Sequence, residues 1–319
     1  MALLLLSIKQ SLPVSFAFSS HLSKLTSSSQ VYSSTSCVSP TAMLFSSPSS
    51  DNDQGLADIG NNRQQDINNS NLDMMKTWKE RIDISIAKSR KIRGSNYVQI
   101  STIDYETMEP RCRTVVFRGF MKDVPFGAVE EVLLGRGEGG ESSSEKYTDC
   151  VMKMITDLRS NKVSEVESFQ TMGGTKDGNT VEMVWWFPKS SEQYRIRGRL
   201  QFIGNGGPLN NSDSKSSNHN DYFIGERKQQ WGNLSDMARE QFYWDEPGIP
   251  YCTTKGHEQG VPPGGRDDEG KVLPVPDSFL LMLLYPTKID YLKLGENYRQ
   301  IDEWKWEGER QWEQLRMNP

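Results

Sequence analysis

Residues 111–120 read R-C-R-T-V-V-F-R-G-F, an apolar core of Val115, Val116 and Phe117 with Arg113 and Arg118 at its edges. Such a β-branched and aromatic run predicts a strand. Guanidinium groups are rarely buried without an anionic partner, so arginines flanking a buried strand imply an anion beside it. A second basic segment, I-T-D-L-R-S-N-K at 155–162, stands at the edge of another apolar run. There the chain passes through Thr156 into a turn, Ser160 suits a helix N-cap, and Val163 and Val166 begin a helical spacing. A helix start carrying Arg159 and Lys162 makes a cradle for a phosphate monoester, because the positive end of the helix dipole adds to two side-chain cations. The bland alternative for that segment is a solvated turn.

Other chemistries find little material. The three histidines are His21, His219 and His257, all in polar or leader sequence, which leaves no basis for a histidine metal site or a Ser-His-acid triad. Cys37, Cys112, Cys150 and Cys252 show no C-x-x-C spacing, so neither zinc nor a disulfide framework is indicated. Gly135, Gly137 and Gly140 spell G-x-G-x-x-G, but the following E-S-S-S-E-K offers no apolar helix, and Glu138 and Glu141 would repel a pyrophosphate. A loop is the better reading. A net charge of −5 argues against nucleic acid as a partner, since binding a polyanion needs a basic face. What remains by elimination is a borrowed cofactor.

The chain has no acidic residue before Asp51 and no arginine before Arg63, and its first fifty residues are rich in Ser and Thr. That composition predicts a transit peptide over 1–50. The missing arginines favour a plastid over a mitochondrial address, with a signal followed by a transit segment as a variant. Residues 51–70 are polar and too poor in apolar side chains to offset the entropy of ordering them, so they read as a disordered linker. No apolar run approaches the ~20 residues of a membrane span.

The folded part then occupies 71–319. Leu72, Met75, Trp78, Ile82 and Ile86 recur at helical spacing, and the basic run at 88–93 complements the dipole at that helix's end. Residues 96–103 and the R-T-V-V-F-R segment predict a hairpin. Residues 181–187 form an apolar run, and 193–203 alternate Tyr194, Ile196, Leu200 and Phe202 with Arg195, Arg197, Arg199 and Gln201, a half-buried strand whose arginine row reads as a solvated outer face. Further strands are expected at 280–285, 288–294 and 298–306. The polar stretches 204–220 and 256–276 read as surface loops, and 235–242 as a helix capped by Ser235. A mainly β fold with peripheral helices, closed or nearly closed into a barrel, is the economical way to hide so many strand edges.

The motifs resemble the FMN-binding split-barrel family typified by pyridoxamine 5'-phosphate oxidase. Arg113, Thr114, Val115, Val116, Phe117 and Arg118 match the strand that lies along the flavin, and 156–162 look like the family's phosphate turn. Gln193 stands where the family has a flavin-contacting glutamine, and W-E-Q-L-R-M-N-P at 312–319 resembles its closing W-x-x-x-R-x-x-P. The resemblance implies a homodimer binding FMN through Arg113, Thr114, Val115, Val116, Phe117, Arg118, Thr156, Arg159, Ser160, Lys162 and Gln193. It also implies flavin-mediated hydride transfer with a small-molecule substrate. A non-catalytic flavin- or tetrapyrrole-binding regulatory module on the same barrel is the alternative. This chain departs from the pattern in two ways. The phosphate turn carries Asn161-Lys162 where the family has Arg-Lys, with the arginine displaced to Arg159. The family's Tyr-Arg-Ser grip on a substrate phosphate aligns with Trp231, Ser235 and Arg239, and the later Arg-x-His has no histidine here. Arg118, Trp231, Arg239 and Arg299 are the substrate-side candidates, and the substrate stays unnamed.

Overall fold

The computed structural model describes residues 76–135, 145–171, 180–209, 219–250, 261–307 and 310–319. The leader, the linker, Leu72, Met75, Gly137, Gly140 and parts of both polar insertions lie outside the described residues. Helix α1 (Trp78–Ser89) opens on a capping box: the Glu80 amide donates to Thr77 Oγ1 at 3.2 Å, and the Thr77 amide donates to Glu80 Oε2 at 2.8 Å. Its buried residues Trp78, Arg81, Ile82, Ser85 and Ser89 step by three and four, as expected, but the face carries an arginine and two serines among its apolar side chains.

Strands β1 (Tyr97–Asp104) and β2 (Glu109–Val116) form the predicted antiparallel hairpin, running from Tyr97 opposite Val116 to Asp104 opposite Glu109. The short β3 (Gly119–Phe120) then pairs with β4 (Met152–Asp157), after α2 (Phe126–Leu134) and α3 (Glu145–Thr148). Helix α4 (Asn161–Thr171) follows β4 and packs on β1. Strands β5 (Thr180–Phe187) and β6 (Glu192–Gly204) continue the sheet, with β7 (Gly207–Pro208) paired to the end of β6. After α5 (Asn220–Gly232) and α6 (Asp236–Glu240) come β8 (Phe279–Lys293), β9 (Tyr298–Lys305) and β10 (Gln311–Met317). The main path is β10-β9-β8-β6-β5-β1-β2, with β4 branching from β8.

That branch comes from a single long strand. Phe279–Leu284 pair with β4, Lys288–Lys293 pair with β9, and β6 runs along both halves. The two strands expected at 280–285 and 288–294 are therefore one. Pro286 looks like a break in sequence, but it sits where the β6–β8 register shifts beside Gly198, a bulge that needs no proline N–H. Gly198 is required there because a Cβ would come within 2.2 Å of the Tyr285 carbonyl oxygen. Inside the barrel, Val98, Ile100, Val115, Phe117, Met183, Trp185, Tyr194, Ile196, Leu200, Phe202, Met282 and Ile289 form one buried cluster. Each such side chain contributes about 1.5–3 kcal/mol by leaving water.

The arginine row of β6 does lie on an outer face. Arg195 pairs with Asp290, and Arg299 holds the same carboxylate with Nε at 3.0 Å and a terminal nitrogen at 2.8 Å. Gly135 ends α2 in a left-handed conformation (φ 65°), so the first glycine of G-x-G-x-x-G is a helix stop. The described parts of both polar insertions include regular turns and a helix start. Asn220 begins α5, and in 261–276 Gly264 and Gly265 are buried within the 3-10 turn Pro263–Gly265. Ser235 precedes α6 with extended backbone but makes no side-chain cap bond. Among the described residues, no helix is long and apolar enough to cross a membrane.

Candidate functional site

The inner faces of β1 and β2 carry Val98, Ile100 and Thr102 opposite Val115, Arg113 and Arg111. Val115 and Phe117 are buried in the barrel core; Arg113 continues the same face where the core gives out and α4 begins. Its guanidinium donates to Glu165 Oε2 of α4 at 2.7 Å, to the Arg111 carbonyl at 2.9 Å and to Thr102 Oγ1. Thr102 Oγ1 also donates to Glu165. Both Thr102 and Glu165 are buried, so Arg113 is fixed in direction by partners that cannot move away from it.

Beside it, the turn from β4 into α4 gathers hydroxyls around a lysine. Lys162 Nζ donates to Thr156 Oγ1 at 2.8 Å and to Ser160 Oγ at 2.9 Å, and Ser160 Oγ donates to the Asp157 carbonyl at 2.7 Å. No carboxylate pairs with Lys162 among the described residues. Burial first, and then the neighbouring Arg113 guanidinium, push Lys162 from the ordinary 10.5 down to about 8, with Asp157 and Glu165 opposing the shift. Two cations held close in a partly dry site, with hydroxyls and the start of an eleven-residue helix between them, suit a doubly charged phosphate. The donor set of this chain fits the phosphate of FMN.

Arg159 is not part of that cluster. Its Nε donates to Asp157 Oδ1 at 2.9 Å and its terminal nitrogens to Asp157 Oδ2 at 2.7 Å, the Trp244 carbonyl at 2.7 Å and the Phe242 carbonyl at 3.4 Å. Thr114 and Val116 lie on the other face of β2. Val116 stands opposite Tyr97, Gln193 opposite Trp186 on one side and Leu292 on the other. Val116, Tyr97, Trp186 and Leu292 thus share the outer sheet face with the polar Gln193, and on it Tyr97 is 50% and Trp186 40% exposed. Arg118 is exposed, with no hydrogen bond or ion pair from its side chain among the described residues; partial desolvation of its guanidinium pushes its pKa below the ordinary value, with Tyr97 opposing the shift.

The remaining substrate-side candidates are engaged in structure. Trp231 is buried against Phe279, and its Nε1 donates to the Leu273 carbonyl at 2.9 Å. Arg239, 2% exposed, donates to the Gly264 carbonyl at 2.9 Å, to the Leu234 carbonyl and to Asp236. Arg299 is held by Asp290. Sequence reading missed Thr102 and Glu165, the pair that orients Arg113. Glu165 lies one turn beyond Lys162 on the same helix face, a signal open to inspection, whereas Thr102 is found only through the hairpin register. Among the described residues, no cluster of three or more His, Cys, Asp or Glu could hold a metal ion.

Residues 75–204 match the family described as pyridoxamine 5'-phosphate oxidase, FMN-binding domain. The chain is similar to pyridoxine/pyridoxamine 5'-phosphate oxidase 2 of Arabidopsis thaliana, 29% identical over 247 residues that cover 76% of this chain and 96% of that protein. An uncharacterized protein of Saccharomyces cerevisiae is 32% identical over 108 residues, 32% of this chain and 28% of its own length. Among solved structures, a pyridoxamine 5'-phosphate oxidase-related, FMN binding protein from Nostoc punctiforme PCC 73102 is similar at 25% identity. It covers 77% of this chain and 98% of its own, with a TM-score of 0.53. With a forked antiparallel barrel, the chain has the fold of the FMN-binding split barrels, and the strands around Arg113 and Lys162 lie within the segment similar to the pyridoxamine 5'-phosphate oxidase FMN-binding domain.

Proposed function

We propose that this protein is an FMN-dependent oxidoreductase, acting as a homodimer on a small-molecule substrate. One observation carries the reading: Lys162 and Arg113 are held side by side with Thr156 and Ser160, and Lys162 has only neutral partners until an anion arrives. Arg113, aimed by Glu165 and Thr102, and Lys162 would grip the terminal phosphate. Thr156 and Ser160 would donate or accept around it. Bound FMN would supply the two-electron chemistry that no side chain here can provide. Arg118, unpartnered at the surface, is the residue left to meet an anionic group of the substrate. The outer sheet face that bears Val116, Tyr97, Trp186 and Leu292, with Tyr97 and Trp186 exposed, is the surface a second copy would cover.

Titration of FMN against the parent protein, Arg113→Ala and Lys162→Met tests this, with sedimentation of the same samples reporting the dimer. Each variant loses a charge-assisted contact of about 1.5–3 kcal/mol, roughly a tenfold to hundredfold drop in affinity. Unchanged affinity in both variants would show that the phosphate sits elsewhere. Bleaching of the bound flavin's visible absorbance by a reducing substrate separates an enzyme from a regulatory module, which would bind FMN without such a response.

A further inference from the structure

Arg159 stands three residues before Lys162, inside the turn that would hold the phosphate, yet its guanidinium faces a different set of partners. It makes four hydrogen bonds: two form a fork on Asp157, and one each reaches the carbonyls of Phe242 and Trp244. A guanidinium has five N–H donors, so little capacity is left for a ligand. Asp157 is locked from the other side as well, because its Oδ1 accepts the Arg159 backbone N–H at 2.8 Å. The two carbonyls belong to the end of the 3-10 turn Gln241–Tyr243, where backbone acceptors lack onward helical partners.

The segment Arg159 grips is itself anchored to the barrel. Phe242 packs on Phe279 with ring centroids 5.0 Å apart and on Trp231 at 5.8 Å, and its carbonyl also accepts from Ser278 Oγ at 3.1 Å. Helix α5 is fixed to the same strand end by buried Arg227, which donates to the Phe279 carbonyl at 2.8 Å and the Pro276 carbonyl at 2.7 Å. Arg239 secures α6 to Gly264. The aromatic segment is therefore a fixed abutment, and from the 156–162 turn it is the Arg159 side chain that hydrogen-bonds to it.

We propose that Arg159 is a positioning residue of the cofactor site: it braces the Thr156–Lys162 turn against Phe242 and Trp244, and it does not pair with the ligand's phosphate. The proposal rests on the FMN reading for its functional consequence, while the brace itself is a property of the ligand-free chain. A brace and a charge partner respond oppositely to lysine. Lysine keeps the positive charge but is a point donor on a flexible stem, unable to fork a carboxylate while bridging two carbonyls. A charge partner is largely rescued by Arg159→Lys; a brace is not.

The test uses Arg159→Ala, Arg159→Lys and, for comparison, Arg113→Ala, with two measurements on each. Hydrogen exchange of the ligand-free proteins should show amides of residues 241–246 exchanging about tenfold faster in both Arg159 variants, the loss of roughly 1.4 kcal/mol of local protection, and unchanged in Arg113→Ala. FMN affinity should fall by about threefold to tenfold in both Arg159 variants alike, because a slackened turn misplaces Lys162 and its hydroxyls. Parent-like exchange at 241–246 in Arg159→Ala, or recovery of FMN affinity in Arg159→Lys, would overturn the proposal. If the parent binds no FMN, the functional reading fails and the exchange measurement still decides whether Arg159 is the brace.

Discussion

At the scale of single residues the site is governed by Lys162, whose depressed pKa has two consequences of opposite sign. In the ligand-free protein the folded state releases this proton near pH 8, whereas an unfolded chain holds it to the ordinary 10.5. Between those values the unfolded state binds more protons, so this group's contribution makes stability rise as pH increases from about 8 to 10.5. Affinity for a phosphate dianion runs the other way, because only the protonated lysine attracts it. FMN titrations from pH 7 to 9.5 should therefore show affinity falling above pH 8 in the parent and a flatter profile in Lys162→Met; identical profiles would remove Lys162 from the phosphate site. Arg113, Thr156, Ser160 and Lys162 were legible in the sequence because basic and hydroxyl residues beside buried strands demand a partner. Arg159 was not. Its acceptors include two backbone carbonyls more than eighty residues onward, and no pattern of side chains announces a carbonyl.

At the scale of elements, the fork of β8 decides whether the barrel can form, and Gly198 is the residue on which the fork depends. A methyl group at this position meets backbone on the adjacent strand, which cannot rotate out of the way as a side chain would. Gly198→Ala should cost about 3 kcal/mol or more. For a domain of this size that is a fall of roughly 6–12 °C in Tm. Gly225→Ala, in α5 with open space around the added carbon, should leave Tm unchanged or raise it slightly. Equal Tm values for the two variants would mean that β6 can shift to admit a side chain. Strand β6 was legible from period-two alternation, as Tyr194, Ile196, Leu200 and Phe202 show, whereas the short β3 and β7 and the largely exposed β10 went unread, and Pro286 misled, since a bulge hides the usual meaning of proline. Helices α2 and α5 escaped for a different reason. The buried residues of α5 are Phe223, Arg227, Gln230 and Trp231, half of them polar, and those of α2 run through Phe126, Ala128, Val129, Glu130 and Leu133 without a clean stripe. Helices docked by buried arginines and glutamates leave no apolar periodicity to read.

At the scale of the whole molecule, the family's name points to vitamin B6 phosphates, and the arrangement of arginines argues against them as good substrates. A substrate phosphate needs several positioned cations and hydroxyls to offset its desolvation. Of the positions aligned with that grip, Trp231 is buried with its N–H on the Leu273 carbonyl, and Arg239 is buried with its donors on Gly264, Leu234 and Asp236. Arg299 is committed to Asp290 on the outer sheet face, and Arg118 alone is left without a partner among the described residues. Each missing charge-assisted contact is worth about 1.5–3 kcal/mol, so two absent contacts cost at least a hundredfold in recognition. Binding energy absent at the phosphate cannot be used to align the reacting carbon, and the rate should fall along with the affinity. Pyridoxal 5'-phosphate formation from pyridoxine or pyridoxamine 5'-phosphate, followed under oxygen with saturating FMN beside an authentic oxidase, should be slower by at least two orders of magnitude. Comparable turnover would require Arg239 to leave the Gly264 carbonyl and enter the site. Arg239→Lys would then abolish that turnover, whereas the buried role seen here predicts that the substitution lowers thermal stability and leaves the residual rate unchanged.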